Sequence, residues 1–187
     1  LFDFNLQLEK GIQLQQEGRL DEAVECYRDI LDCDPNNADA NHLLGLLVHQ
    51  QGRHGSALFF IDKAIASQPE VAIYHANRGR VLKATGNNSA AISAYSLALR
   101  LEPGDGDTLS DLAGALVDNG DLKYAALFAN RAVERAPNLA AAHYNHGLTA
   151  KRTNQVELAY SAFKRSLELD PDFPAALFEL GELHHSK

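Results

Sequence analysis

The sequence has no methionine, only two cysteines and no apolar run longer than a few residues, as in Leu46-Leu47-Val48. A membrane-crossing helix needs about 20 consecutive apolar residues, so no span is expected. The start lacks a basic stretch followed by an apolar one, so no secretory leader is expected either. Since the chain begins at Leu1 without methionine, it is expected to be processed or to be a piece of a longer protein. Cys26 and Cys33 are seven apart, the spacing of neither a metal-ligand pair nor a redox CxxC. On a helix they would stand about 10 Å apart along the axis, too far for a disulfide. Both are expected to be small buried or half-buried thiols. This usage points to a reducing compartment, so a cytoplasmic location is expected, with the periplasm as the alternative. Cations are outnumbered: Lys+Arg count 17 against 25 Asp+Glu, a net charge of −8. Such a chain is a poor match for a phosphate backbone, and nucleic acid is not an expected partner. Protonating all eight histidines would bring the sum to zero, so solubility is expected to fall in acid.

What is present is an ordinary soluble composition, 45% apolar and 22% charged over 187 residues, long enough for a buried core. It is also periodic. Pro35, Pro69, Pro103, Pro137 and Pro171 follow one another at 34-residue intervals, and only Pro174 lies outside the series. Twelve residues before each proline stands Ala23, Ala57, Ala91, Ala125 or Ala159. Seventeen before stand Gly18, Gly52, Gly86, Gly120 and Asn154. Twenty-four before stand Gly11, Gly45, Gly79, Ala113 and Gly147, with Gly181 one interval on. Small residues let two helices approach closely. Gly or Asn supplies the left-handed residue that ends one helix, and Pro ends the next. Between these marks Leu20, Ala23, Val24, Tyr27, Ile30 and Leu31 keep helical spacing, and no strand-like alternation occurs. Each unit reads as helix–turn–helix, with helices of about 12–14 residues.

This pattern resembles the tetratricopeptide repeat, a family of 34-residue helical units, and bacterial arrays of that family in particular. The resemblance implies an all-α, right-handed α-solenoid of five repeats plus a C-terminal capping helix. The expected repeats are 4–37, 38–71, 72–105, 106–139 and 140–173, with a lone helix at 174–185, all in one domain. The capping helix is expected to use Leu177, Leu180 and Leu183. There are departures from the family pattern. Where the family often places a large apolar residue, four before the first-helix glycine, this chain has Gln7, Asn41, His75, Leu109 and His143. The residue just before that glycine alternates between polar and leucine, which hints at a doubled unit.

Reactive constellations are scarce. No P-loop, GxGxxG, HExxH, GxSxG or kinase signature occurs. Gly104-Asp105-Gly106-Asp107 lacks the later ligands of a calcium loop, since Leu109 stands where a third ligand belongs, and reads as a turn between repeats. His143 and His146 share a helix face and could hold a metal with a third ligand such as His184. Polar packing between helices is the expectation instead. Asn87-Asn88-Ser89 matches a glycosylation acceptor, without sign of secretion. No catalytic residue, metal or cofactor is expected, and the chain is not expected to be an enzyme by itself.

The resemblance places a peptide or partner segment in a concave groove lined by the first helix of each repeat. By register the lining is His42, Leu46 and His49, then Asn77, Arg80 and Lys83, then Asp111, then Tyr144, Asn145, Leu148, Lys151 and Arg152. Charge falls in bands: basic in the third repeat, acidic in the fourth, basic in the fifth. Such banding favours an extended ligand of mixed charge. Asn77 and Asn145 could clamp a peptide backbone, as in arrays resembling those of O-linked N-acetylglucosamine transferases. The ladder is interrupted here by Glu9, Leu43, Asp111 and Glu179. The carboxylate clamp of chaperone co-factors is not expected, because Asp107 and Asp111 stand where cations are needed. The expected function is therefore a non-catalytic protein-interaction scaffold. Two alternatives stay open: the recognition arm of a larger glycosyltransferase, sulfotransferase or methyltransferase, and an adaptor that self-assembles through its array ends.

Overall fold

The computed structural model describes residues 3–185, with side chains through residue 183. Among the described residues there are eleven α-helices and no strand. They are α1 (Phe4–Gln16), α2 (Leu20–Cys33), α3 (Ala38–Gln50), α4 (His54–Ser67), α5 (Ala72–Ala84), α6 (Asn88–Leu101), α7 (Gly106–Asn119), α8 (Leu122–Arg135), α9 (Ala140–Arg152), α10 (Val156–Leu169) and α11 (Pro174–His185). None is long and apolar enough to cross a membrane. The chain groups into two compact units, Leu1–Gly86 with α1–α5 and Asn87–Lys187 with α6–α11.

The periodic columns act as expected. The residue ending each first helix is left-handed: Gly18, Gly52, Gly86 and Gly120 have φ between 76° and 86°, and Asn154 has 61°. Asparagine is the side chain that best tolerates this region, which is why the fifth repeat can dispense with glycine. The series prolines follow the C-caps of the second helices at Asp34, Gln68, Glu102, Ala136 and Asp170. Several helices open on a side-chain cap. Asn37 Oδ1 accepts from Ala40 N at 3.0 Å, and Asp105 Oδ2 accepts from Thr108 N at 3.1 Å. Gly104-Asp105-Gly106-Asp107 is thus the start of α7. A Cβ on Gly106 would stand 2.5 Å from Ala136 Cβ, so a close chain approach explains that glycine.

In the first unit Tyr27, Leu44, Leu47, Val48, Ala57, Ile61 and Val81 form one core. The first-helix glycines set its depth. A Cβ on Gly11 would lie 2.5 Å from Tyr27 Cε1, and one on Gly45 would lie 2.8 Å from Ile61 Cγ1. In the second unit Gly147 repeats this against Phe163, with a Cβ 2.6 Å from Cδ1. The fourth repeat departs at both places together. Ala113 replaces the glycine and Ala129 replaces the large partner, and both are fully buried.

The polar column that departs from the family has a structural use. Asn41 Nδ2 donates to Pro35 O at 3.1 Å and to Asn37 O at 2.8 Å. His75 Nε2 donates to Pro69 O at 2.7 Å, and His143 Nε2 donates to Pro137 O at 2.9 Å. These side chains satisfy a carbonyl left over where the preceding helix ends, which an apolar residue cannot do.

Two expectations need correction. Cys33 is exposed at the end of α2, while Cys26 is buried in the core; both are free. On α11 the inward stripe is Ala176 and Leu183, both buried, with Leu180 partly buried between them, whereas Leu177 is 53% exposed. Positions i, i+4 and i+7 stay closer to one line on a helix than i, i+3 and i+6, and the smaller Ala176 takes the inner place.

Candidate functional site

On the first unit, α3 and α5 present a connected polar row. Asp39 accepts from the Tyr74 hydroxyl at 2.7 Å. The Tyr74 ring lies against His42, with centroids 4.6 Å apart. Asn77 Nδ2 meets His42 Nε2 at 2.7 Å, and Arg80 Nη1 donates to Asn77 Oδ1 at 2.8 Å. The proton assignment follows from the arginine. A guanidinium only donates, so the amide turns its oxygen to Arg80 and its NH₂ to His42. His42 Nε2 must then accept, and its proton sits on Nδ1. Burial pushes the His42 pKa down to about 4, against a smaller upward pull from Asp39. Burial, with Asp39 beside it, raises the Tyr74 phenol.

The expected lining residues divide accordingly. His42, Asn77 and Arg80 come together in this row. Leu46 and His49 continue along α3, both half-buried, and Lys83 is half-buried on α5. His49 Nδ1 lies 2.9 Å from His54 Nδ1 across the α3–α4 turn, and burial lowers its pKa, with His54 adding to the effect. Tyr74 was not expected in the lining. Its signal in the sequence is the one aromatic residue in a column that otherwise carries Leu6, Ala40, Thr108, Ala142 and Ala176.

On the second unit the row runs over α7, α9 and α11. Asn145 Nδ2 donates to the carbonyl and the hydroxyl of Ser110, at 3.0 and 2.9 Å. Lys151 Nζ pairs with Glu179 at 2.6 Å. Tyr144 packs beside Phe163 and Phe173, with centroids 5.9 and 5.1 Å away. Burial raises its phenol, with Glu179 and Asp118 contributing. Leu148 leans on the core around Phe163 and Leu183. Asp111 is half-buried and Arg152 exposed.

Both asparagines are spent inside the array. Asn77 is 5% exposed with its amide engaged at both ends, and Asn145 is 8% exposed with its NH₂ committed to Ser110. A two-sided grip on a peptide backbone, expected from the amide chemistry, would have to displace these bonds, which engage both ends of the Asn77 amide and the NH₂ of Asn145 between neighbouring first helices.

His143 and His146 behave as packing residues. His143 is bonded to Pro137, and burial lowers the His146 pKa, with His143 adding to it. The His184 side chain lies outside the described residues. Among the described residues no three His, Cys, Asp or Glu side chains converge as metal ligands would.

Family models described as TPR repeat and tetratricopeptide repeat match residues 11–52, 57–106 with 76–140, and 140–173. Human tetratricopeptide repeat protein 7A is 30% identical over 93 residues, half of this chain and 11% of that protein. The match therefore spans only about a tenth of the length of these curated relatives. Among solved structures, a MamA chain from Desulfovibrio magneticus RS-1 superposes with a TM-score of 0.77 at 18% identity, covering 91% of this chain and 96% of that one. YrrB, described as a TPR protein with an unusual peptide-binding site, gives 0.72 at 22% identity, covering 94% and 91%. At these identities the likeness is one of fold.

Proposed function

The chain belongs to the tetratricopeptide repeat family, a protein-interaction scaffold fold, and from that premise we propose that it holds a peptide segment of a partner along its first-helix faces. The carrying observation is the braced row Asp39–Tyr74 and His42–Asn77–Arg80, whose partners fix each side chain before any ligand arrives. Preorganised polar groups lower the ordering cost of binding. The contact surface on α3 and α5 is made by Leu46, His49, Arg80 and Lys83; on α9 it is made by Lys151 and Arg152. Asn77 and Asn145 act as braces between helices, and the backbone-clamp role passes to none of them. The peptide-binding site described for YrrB supports such a use of the fold. No chemistry is assigned to the chain in this reading, and its role is to bring partners together.

A second reading makes the chain the recognition arm of a longer protein. It is favoured by the small share, 11%, that the match occupies in the human relative.

The test is affinity capture from source-cell lysate with the wild type and a Leu46→Ala, Lys83→Glu, Arg152→Glu variant, the fold of each checked by circular dichroism. Partners lost from the variant are the expected result. Partners retained in full by a folded variant overturn the first-helix site.

A further inference from the structure

A second surface of the first unit carries its own cleft. Along α3, Leu44 and Val48 lie two residues on from His42 and Leu46, about 200° around the helix and so on the opposite side, with Gln51 at the C-cap. There α2 and α4 bound two cavities of about 360 and 380 Å³. Both are lined by Arg28, Val48 and Arg53, so they form one continuous cleft within the size range of peptide and small-ligand sites. Its floor is apolar: Val24, Leu44 and Val48 are 9% exposed or less.

The two ends differ in chemistry. Asp21, Glu22 and Glu25 line one end, where Arg19 pairs with Glu22 at 2.6 Å and Arg28 with Glu25 at 2.8 Å. The other end holds Gly55, Ser56, Phe59 and Phe60 and no acid. Phe59 is 57% exposed and stands edge-on to Phe60 at 5.3 Å. A Cβ on Gly55 would meet nothing within 4 Å, so the glycine leaves open space beside that ring. The Arg53 guanidinium makes no ion pair or side-chain hydrogen bond among the described residues. Lys63 Nζ lies over the Phe59 ring, 5.3 Å from its centroid, so a second cation stands at this end. Buried apolar side chains, an exposed aromatic ring with open space above Gly55, and the Arg53 guanidinium meet along this cleft.

We propose that this cleft docks an extended segment of a partner protein in which an apolar side chain is followed by a carboxylate. The apolar group packs on Phe59 in the gap above Gly55, and the carboxylate pairs with Arg53 in the bidentate manner its geometry favours. The acidic end excludes a segment whose charge order is reversed. This surface shares no residue with the first-helix row, so the two readings stand or fall separately.

The test is fluorescence anisotropy with a labelled, terminally blocked probe, Ala-Ser-Leu-Phe-Asp-Asp-Ser, and a control probe with Lys in place of both Asp. Expected is saturable binding of the acidic probe only. It should weaken about tenfold or more in Arg53→Glu and in Gly55→Tyr, and stay unchanged in Leu46→Ala. Gly55→Tyr fills open space without touching the core, so its melting temperature should match the wild type and separate occlusion from unfolding. The proposal is overturned by absence of saturable binding up to about 1 mM, by equal binding of both probes, or by undiminished binding in both cleft variants. Concentration-dependent self-association of the wild type, abolished by Arg53→Glu, would instead seat a second copy of the chain in the cleft and also overturn it.

Discussion

Gly147 shows how little room a single position has. An added Cβ would stand 2.6 Å from two ring carbons of Phe163, which is itself fully buried. Gly147→Ala is expected to destabilise by about 1–3 kcal/mol through overpacking, despite the better helix propensity of alanine. Phe163→Ala alone should cost about 3–5 kcal/mol as a cavity. The double variant recreates the pair Ala113 and Ala129, and urea unfolding should show it less destabilised than the two changes added together. Strict additivity would mean that the two columns do not compensate one another. The glycine column was legible in the sequence as a small-residue series. Its partner column, which holds Tyr27, Ile61, Ala129 and Phe163 within the two units, became meaningful only when the contact distances showed which ring fills which gap. The same holds for Asn77 and Asn145. Residue type announces a donor and an acceptor, but whether they are free depends on neighbours 35 positions away, His42 and Ser110.

At the scale of the helix, periodicity decided nearly everything. The turns, the caps at Asn37 and Asp105 and the helix lengths follow from local chemistry, which a sequence displays directly. What escaped was the choice between two adjacent stripes on α11. Leu177 is larger than Ala176, but α11 is held by a close approach, where the smaller residue fits better. Ala125 occupies a comparable place on α8 and is fully buried. Ala125→Leu is expected to wedge α8 away from its partner α7 at about 1–3 kcal/mol. A melting temperature equal to the wild type would show that this column is not at the helix–helix seam.

For the molecule as a whole, acid is the sensitive axis. Burial lowers the pKa of His42, His49 and His146, His42 to about 4. A base with a depressed folded-state pKa leaves the unfolded chain holding more protons, so its stability contribution is complete above the unfolded value near 6.5 and is lost as pH falls toward 4. For His42 this amounts to roughly 3–4 kcal/mol across that window. His42→Gln keeps an acceptor for the Asn77 amide and removes the titration. Its unfolding free energy should therefore vary less between pH 7 and pH 4.5 than that of the wild type. An identical slope would place the acid sensitivity elsewhere.

The paired exchange of Gly147 and Phe163 for Ala113 and Ala129 also governs how such a chain can be shuffled. A whole repeat keeps this particular fit when it is moved, because it carries both halves of it, although bonds such as Asn77–His42 and Asn145–Ser110 must still find their partner in the neighbour. A single helix does not keep it. A hybrid that joins a first helix bearing Ala113 to a second helix bearing Phe163 would clash, and the reverse hybrid, Gly147 facing Ala129, would enclose a void. Recombination, whether in a genome or at the bench, is thereby confined to cuts at the proline-marked joints.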